Sequence, residues 1–336
     1  MSKLMKKDFN IVQRFPALIA ISLIIIFTGL VFLLGEGLNL GIDYKGGAKV
    51  EIELVDEITD KEAFEEHFTS FMKGEGYTVV DKMMESPLTE GGISYEFRLA
   101  YEYNGAGVAA EAQEAFITRL NNEFKNDLTE EVESYLASVN SSNLFDEEGI
   151  NVAVIGESSS KSLLNRTFIA LALALVAILV YVMIRFTVSS GLASICGLAH
   201  DVLITVSLTA IFGKYLPVNM TFIAAIITII GYSINSSIVI FDKIRECQKS
   251  TAFAYASDEE IANYAIKHSL VKILLSILTT LIMVVALVLF SVSTIQEFIL
   301  PIIFGLLAGT FSALCLNPSI WVLFRKIGSK LKSKKA

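Results

Sequence analysis

The chain has 336 residues, 53% hydrophobic and 18% charged, against roughly a quarter charged in an ordinary soluble domain; with a mean hydropathy of +0.59 it reads as a membrane protein. A formal charge of −8 and a pI near 5.1 argue against a nucleic-acid partner, which would be met by a basic surface. Cys196, Cys247 and Cys315 lie in or beside apolar segments, which excludes a disulfide-stapled secreted scaffold.

Residues 1–14 form an arm carrying Lys3, Lys6, Lys7 and Arg14, and residues 15–36 a first apolar span. A helix needs roughly 20 apolar residues to cross a hydrocarbon core of about 30 Å. Gly35-Glu36-Gly37 stands where a signal peptide would carry a small-residue cleavage site, so the segment reads as a retained anchor. Residues 37–162 are different in kind, with 26 acidic and 9 basic residues. There the pattern predicts a strand at 48–54, a helix at 61–74, strands at 77–82 and 93–101, a helix from about 107 to 138 and a strand at 151–155. The order βαββαβ is that of an α+β, ferredoxin-like domain, whose sheet has one helical and one open face. Phe64, Phe68 and Phe71 recur at helical spacing among Glu62, Glu65 and Glu66, and are assigned to its core.

Residues 163–324 supply five more spans, with uncharged runs at 167–184, 215–241, 273–296 and 298–324 and a run at 188–213 interrupted by His200 and Asp201. The loop 242–267 joins the fourth and fifth spans, and a basic tail, 325–336, follows the sixth. The fold class is thus an α-helical polytopic membrane protein with six transmembrane helices and an extracytoplasmic ferredoxin-like domain between helices 1 and 2. Arg185, Lys243, Arg245, Lys249 and Lys267 lie in short loops on the side of both termini, against Lys214 alone in those of the other. Positive residues stay inside, so both termini are expected in the cytoplasm, the tail resting on anionic lipid.

Three places carry chemistry. Gly41-Ile42-Asp43-Tyr44-Lys45-Gly46-Gly47 follows the first span and reads as a turn into the first strand, with glycine supplying positive φ and Asp43 bonding nearby amides. Gly231-Tyr232-Ser233-Ile234-Asn235-Ser236-Ser237 lies inside the fourth span, ahead of Asp242-Lys243-Ile244-Arg245-Glu246. Serines can bond their own helix, whereas Asn235 wants an interhelical partner. Asp201 falls near the bilayer midplane, where an ionisable side chain is a functional candidate; the other reading is a packing hydrogen bond to Asn235 or Tyr232. His200 precedes it, but helix neighbours point about 100° apart. Gly305 and Gly309 suggest a packing seam, and Ser257 with Glu260 has the spacing of a capping box, opening a short interfacial helix with Ile261, Tyr264 and Ala265 on its apolar side. No phosphate-cradling loop, metal-ligand spacing or nucleophile elbow occurs, so neither an enzyme nor a cofactor or metal is expected.

The two long motifs and Ala199-His200-Asp201 resemble the SecD/SecF family of preprotein translocase subunits, in the SecF half. The family reads G-[IL]-D-F-x-G-G after span one and G-Y-S-x-N-D-[ST]-x-V-x-x-D-[RK]-I-R-E at span four. Gly41, Asp43, Gly46, Gly47, Gly231, Tyr232, Ser233, Asn235, Asp242, Arg245 and Glu246 match it. The resemblance implies residence in the bacterial cytoplasmic membrane, a SecD partner, the SecYEG channel, a translocating preprotein and use of the proton-motive force. Where the family has aspartate after the asparagine this chain has Ser236, and where it has arginine early in span five this chain has Lys272. A serine cannot titrate, so little proton coupling is expected from this subunit itself and the SecD partner is expected to carry it; within this chain the coupling candidates are Asp201, Asn235, Ser236 and Lys272, with Lys272 either buried or snorkelling to the inner interface. The alternative functions are half of a pump-type small-solute or ion exporter, for which Asp201 and Lys272 as sole intramembrane charges make a thin pathway, and an anchored sensor, for which the tail is too short.

Overall fold

The computed structural model describes residues 10–35, 37–45, 47–75, 77–79, 83–87, 92–100, 124–139, 149–155, 157–213, 216–290 and 293–333. They form two compact units: Met1–Asn39, Ile169–Leu289 and Glu297–Ala336 in one, Leu40–Phe168 with Phe290–Gln296 in the other. Helix α1 (Phe15–Gly35) belongs to the first, and a single helical turn, α2 (Ile42–Lys45), opens the second.

In the second unit β1 (Gly47–Leu54) alternates as a half-buried strand should, with Val50, Ile52 and Leu54 buried and Lys49, Glu51 and Glu53 partly exposed. Helix α3 (Lys61–Gly74) starts where Asp60 accepts from the Ala63 amide at 3.0 Å, and buries Phe64, Phe68 and Met72, each four residues apart. Phe71 only packs against that core. Strands β2 (Thr78–Val79), β3 (Met84–Pro87) and β4 (Ile93–Ala100), helix α4 (Lys125–Val139) and strand β5 (Ile150–Ile155) complete the unit. Residues 80–82, and the expected helix from 107 to 123, lie outside the described residues. The sheet runs β2-β4-β1-β5, with β3 also on β4, and every pairing is antiparallel. In its register Ile52 faces Tyr95 and Val50 faces Val152. The strand β3 was not expected, because its only apolar member besides a proline is Met84.

The second sheet face is not open at its centre: Ser94, Glu96 and Arg98 of β4 are buried. Glu96 accepts from Arg98 Nε at 2.9 Å and from Lys49 Nζ at 3.0 Å, so the charged chains cover one another. Lys61 pairs with Glu57 and, at 2.5 Å, with Glu85 of β3; those two carboxylates hold its ammonium above the usual lysine range.

The first unit holds helices α5 (Glu157–Arg185, shared across the boundary), α6 (Val188–Ile211), α7 (Met220–Lys249), α8 (Asp258–Phe290) and α9 (Ser293–Phe311), a π-helical segment at Ser312–Leu316, and α10 (Asn317–Ser333). Among the described residues six helical stretches are long and apolar enough to span, the last running from Glu297 to Lys330. The apolar windows of α6 and of that last stretch are 50% and 61% buried, whereas that of α5 is 0% buried. The bundle core is therefore α6, α7 and the last span, and α5 turns its apolar surface outward. Small residues set these contacts. A Cβ on Gly305 would lie 2.3 Å from Ile229, and one on Gly309 3.2 Å from Ser233, so the expected seam is the α9–α7 contact; one on Gly29 would lie 2.2 Å from Ser207, joining α1 to α6.

Asn219 caps α7 by accepting from the Phe222 amide and donates to Glu297 at 2.8 Å. Glu297 is buried, although it stands between the uncharged runs 273–296 and 298–324. At the other end the capping box forms: Glu260 accepts from the Ser257 amide at 2.8 Å, and the Glu260 amide donates to Ser257 Oγ at 3.3 Å. No separate interfacial helix follows. Ile261 and Ala265 lie on α8 itself and are buried with Ile244, Trp321 and Val322, which a membrane surface cannot reach. Arg325 pairs with Asp258 at 3.3 Å and Lys326 with Glu259 at 2.5 Å, so protein carboxylates hold the start of the basic tail.

Candidate functional site

Asp201 is the centre of the polar chemistry inside the bundle. It is 1% exposed on the buried face of α6. Its Oδ2 accepts from Ser233 Oγ of α7 at 2.5 Å and from Ser312 Oγ at 2.8 Å, and its Oδ1 lies 2.9 Å from His200 Nδ1. His200 Nε2 is in turn 2.8 Å from Ser22 Oγ of α1. With Asp201 ionised, as a group that can only accept, Nδ1–H donates to it and Nε2 accepts from Ser22. One carboxylate thus ties four spans together. Ser312 reaches it because it opens the π-helical segment, where the changed winding re-aims a side chain.

The partners differ from those expected. Neither Asn235 nor Tyr232 bonds Asp201: Tyr232 Oη donates to the Ser276 carbonyl at 3.1 Å and lies 3.0 Å from Thr280 Oγ1, both on α8. Asn235 is exposed and, among the described residues, has no side-chain hydrogen bond. Adjacent His200 and Asp201 do meet, because the imidazole is long enough to swing back to the carboxylate. Ser236 is buried, but Lys272 is exposed on α8 and has no ion pair among the described residues, which removes the buried-lysine reading. Gly231 is also exposed, with nothing within 4 Å of where a Cβ would stand. Ala224, Thr228, Gly231 and Asn235 therefore form an uncovered face of small and polar residues on a helix whose other side is core.

At the C-terminal end of α7, Asp242 accepts from Arg185 Nη2 with both oxygens, at 2.9 and 2.7 Å, and Arg245 stands 3.9 Å away. Glu246 pairs with Lys243 at 2.7 Å. This motif holds α5 to α7.

In the second unit Gly41 is buried, Asp43 lies in the turn α2, and Gly46 falls outside the described residues. Neither Gly41 nor Gly47 has positive φ. Gly47 is needed for close approach instead, since a Cβ there would stand 2.3 Å from the Leu99 carbonyl oxygen of β4. Among the described residues no group of three His, Cys, Asp or Glu is placed to hold a metal. Ser22, Ser312 and the Arg185–Asp242 pair were missed from sequence. Nothing marks one serine of an apolar span above another, although a charge at each of two span ends on one side was a usable signal for the last.

Six candidate spans among the described residues, an acidic α+β unit after the first, and a buried carboxylate shared between spans define a polytopic membrane protein with polar machinery in its bundle. Residues 134–327 match the family described as protein export membrane protein SecD/SecF, C-terminal, and residues 31–56 match the SecD/SecF GG motif. The chain belongs to the SecD/SecF family. It is 28% identical to protein translocase subunit SecF of Rickettsia akari over 97% of this chain and 96% of that one. It is 29% identical to protein translocase subunit SecDF of Bacillus subtilis over 92% of its length, but spans only 37% of that protein. The crystal structure of SecDF from Thermus thermophilus superposes with a TM-score of 0.70 at 26% identity, covering 96% of this chain and 39% of that one.

Proposed function

We propose that this chain is the SecF-type accessory subunit of the Sec protein translocase, working as transport machinery beside a SecD partner rather than as an enzyme. The observation that carries the reading is coverage: the chain spans almost the whole of a SecF relative and just over a third of SecDF proteins, whose remainder is left for a SecD part. The uncovered α7 face of Ala224, Thr228, Gly231 and Asn235 supports it, because small residues let a second bundle approach closely and Asn235 finds there the partner it lacks among the described residues. The sheet order β2-β4-β1-β5 is consistent with a ferredoxin-like domain, which we assign outside the cytoplasm between spans one and two. Both termini are then cytoplasmic, a reading that the distribution of basic residues supports.

With Ser236 unable to titrate and Lys272 exposed, Asp201 is the group in this bundle through which the proton-motive force acts. Adding a proton to Asp201 makes one of its oxygens a donor while the other still accepts, so at least one of the bonds to His200, Ser233 and Ser312 must reverse or break, and with it the link that bond makes between spans. The SecYEG channel and the preprotein lie on the far side of that movement.

Affinity capture of the tagged chain from native membrane in mild detergent tests the assignment. Recovery of a second six-span protein with a larger outer domain, weakened by Gly231→Leu, supports it; recovery of the chain alone, or of a partner indifferent to the α7 face, contradicts it.

A further inference from the structure

Below Asp201, toward the end of the bundle where α6 begins, polar residues continue on all three core helices. On α6, Asp201, Gly197, Ser194 and Ser190 follow one another at spacings of four, three and four, and so share a face. Ser237 lies one turn beyond Ser233 on α7, and Asn317 five residues beyond Ser312 in the last span. Asn317 Nδ2 donates to Ser237 Oγ at 2.8 Å, which ties these two at the level of Gly197. A Cβ on Gly197 would stand 2.0 Å from Asn317 Oδ1, so the carboxamide occupies the space a side chain would fill.

Ser194 and Asn317 are each 0% exposed, yet Ser194 Oγ and Asn317 Oδ1 have no hydrogen-bond partner among the described residues. A buried serine can satisfy its hydroxyl on its own helix, and Ser194 does not. Such groups are ordinarily satisfied by protein or by water. One turn further, Ser190 accepts from Thr187 Oγ1 at 3.0 Å, and both line a solvent-open recess with Arg185, Asp242, Arg245 and Gln248.

We infer that Ser190, Ser194, Asn317 and Ser237 form a single-file hydration path connecting Asp201 with the surface recess at Arg185 and Asp242. Its ligand is water, and its narrowest point is the Asn317 carboxamide against Gly197. The path passes beside an apolar cluster containing Ala193, Ile240, Phe241 and Trp321, which confines it to the serine face of α6. It rests on the reading of Asp201 as a titrating group only for its purpose, which is to let a proton on Asp201 exchange with the compartment of the termini.

The test measures access and not translocation, so its failure is distinguishable from failure of the assigned function. In the full chain, reconstituted in lipid vesicles with Cys196, Cys247 and Cys315 replaced by alanine, Ser194→Cys, Ser237→Cys and Ala193→Cys are each exposed to silver ion, an ion close to water in size. Silver is added in chloride-free buffer on the side of the termini, and uptake is followed by intact mass. Ala193 is as deeply buried as Ser194 but faces the apolar cluster. A thiol reached only by local opening reacts about tenfold more slowly for each 1.4 kcal/mol of opening free energy. Cysteine at 194 and at 237 is expected to react at least about tenfold faster than cysteine at 193. Adding Gly197→Ala, or Asn317→Leu if that variant does not fold, is expected to slow position 237 and spare position 194. Equal rates at 193 and 194 overturn the proposal, as does a position 237 indifferent to both blocking variants.

Discussion

Replacing Asp201 separates what its carboxylate holds together from what its charge does. In Asp201→Asn the side-chain carbonyl can keep the two hydroxyls of Ser233 and Ser312, while the amide donates to His200 Nδ1. The imidazole then takes its other tautomer and donates from Nε2 to Ser22. All four spans remain tied. Asp201→Leu breaks three interhelical links at once: to α7, to the last span and, through His200, to α1. Interhelical hydrogen bonds in membranes are worth about 0.6 kcal/mol on average and up to about 1.7, so the three together amount to about 2–5 kcal/mol. For a bundle of this size that lowers the melting temperature by roughly 5–15 °C, measured in mild detergent, whereas Asp201→Asn stays within about 1 kcal/mol of the parent. Both variants lose stimulation by a proton gradient in reconstituted vesicles. The reasoning is refuted if Asn melts as low as Leu, or if Asn retains full gradient dependence.

Three further outcomes follow from the packing. Gly47→Ala drives a Cβ into the Leu99 carbonyl, a backbone group that cannot turn aside, and is expected to loosen β1 from β4 by about 1–3 kcal/mol, read as faster proteolysis of the acidic unit. Arg185→Ala removes the two-oxygen contact to Asp242 between α5 and α7; both side chains are about a third or more exposed, so melting should shift by no more than about 1 kcal/mol, and by less in high salt. Lys61 has a folded pKa above its ordinary 10.5 because of Glu57 and Glu85, so its contribution is complete below about pH 10.5 and is lost as pH rises through the folded value. Lys61→Met should therefore differ from the parent in thermal stability at pH 8, and the difference should shrink as pH climbs above 10.5; a constant difference would mean that packing of the lysine stem is responsible.

Much of the fold was legible because its signals are strong and local. Long uncharged runs mark spans, Phe64 and Phe68 mark the buried side of α3, and Ser257 with Glu260 marks a helix start. The candidate site was legible only in its anchor. Asp201 stands out because a carboxylate in an apolar run is costly, but its partners Ser233 and Ser312, and the Ser22 that His200 reaches, come from three other spans, and which serine meets it depends on helix rotation and on the π-helical winding at Ser312. Lys272 stayed open between burial and the interface, since hydropathy cannot distinguish a helix face turned into its own bundle from one turned outward; the structure places it on an exposed face. The role of Gly47 was likewise hidden: sequence names the residue, while the carbonyl that forbids a side chain comes from β4, some fifty residues away.

The central claim, a SecF-type subunit whose coupling group is Asp201, is tested most directly by preprotein translocation into membrane vesicles lacking their own SecD and SecF. Vesicles supplied with this chain and its SecD partner, with a proton gradient imposed, should translocate faster than vesicles supplied with the partner alone. Asp201→Asn should abolish that gain while co-assembly persists. A gain that survives Asp201→Asn, or no gain despite normal assembly, would contradict it.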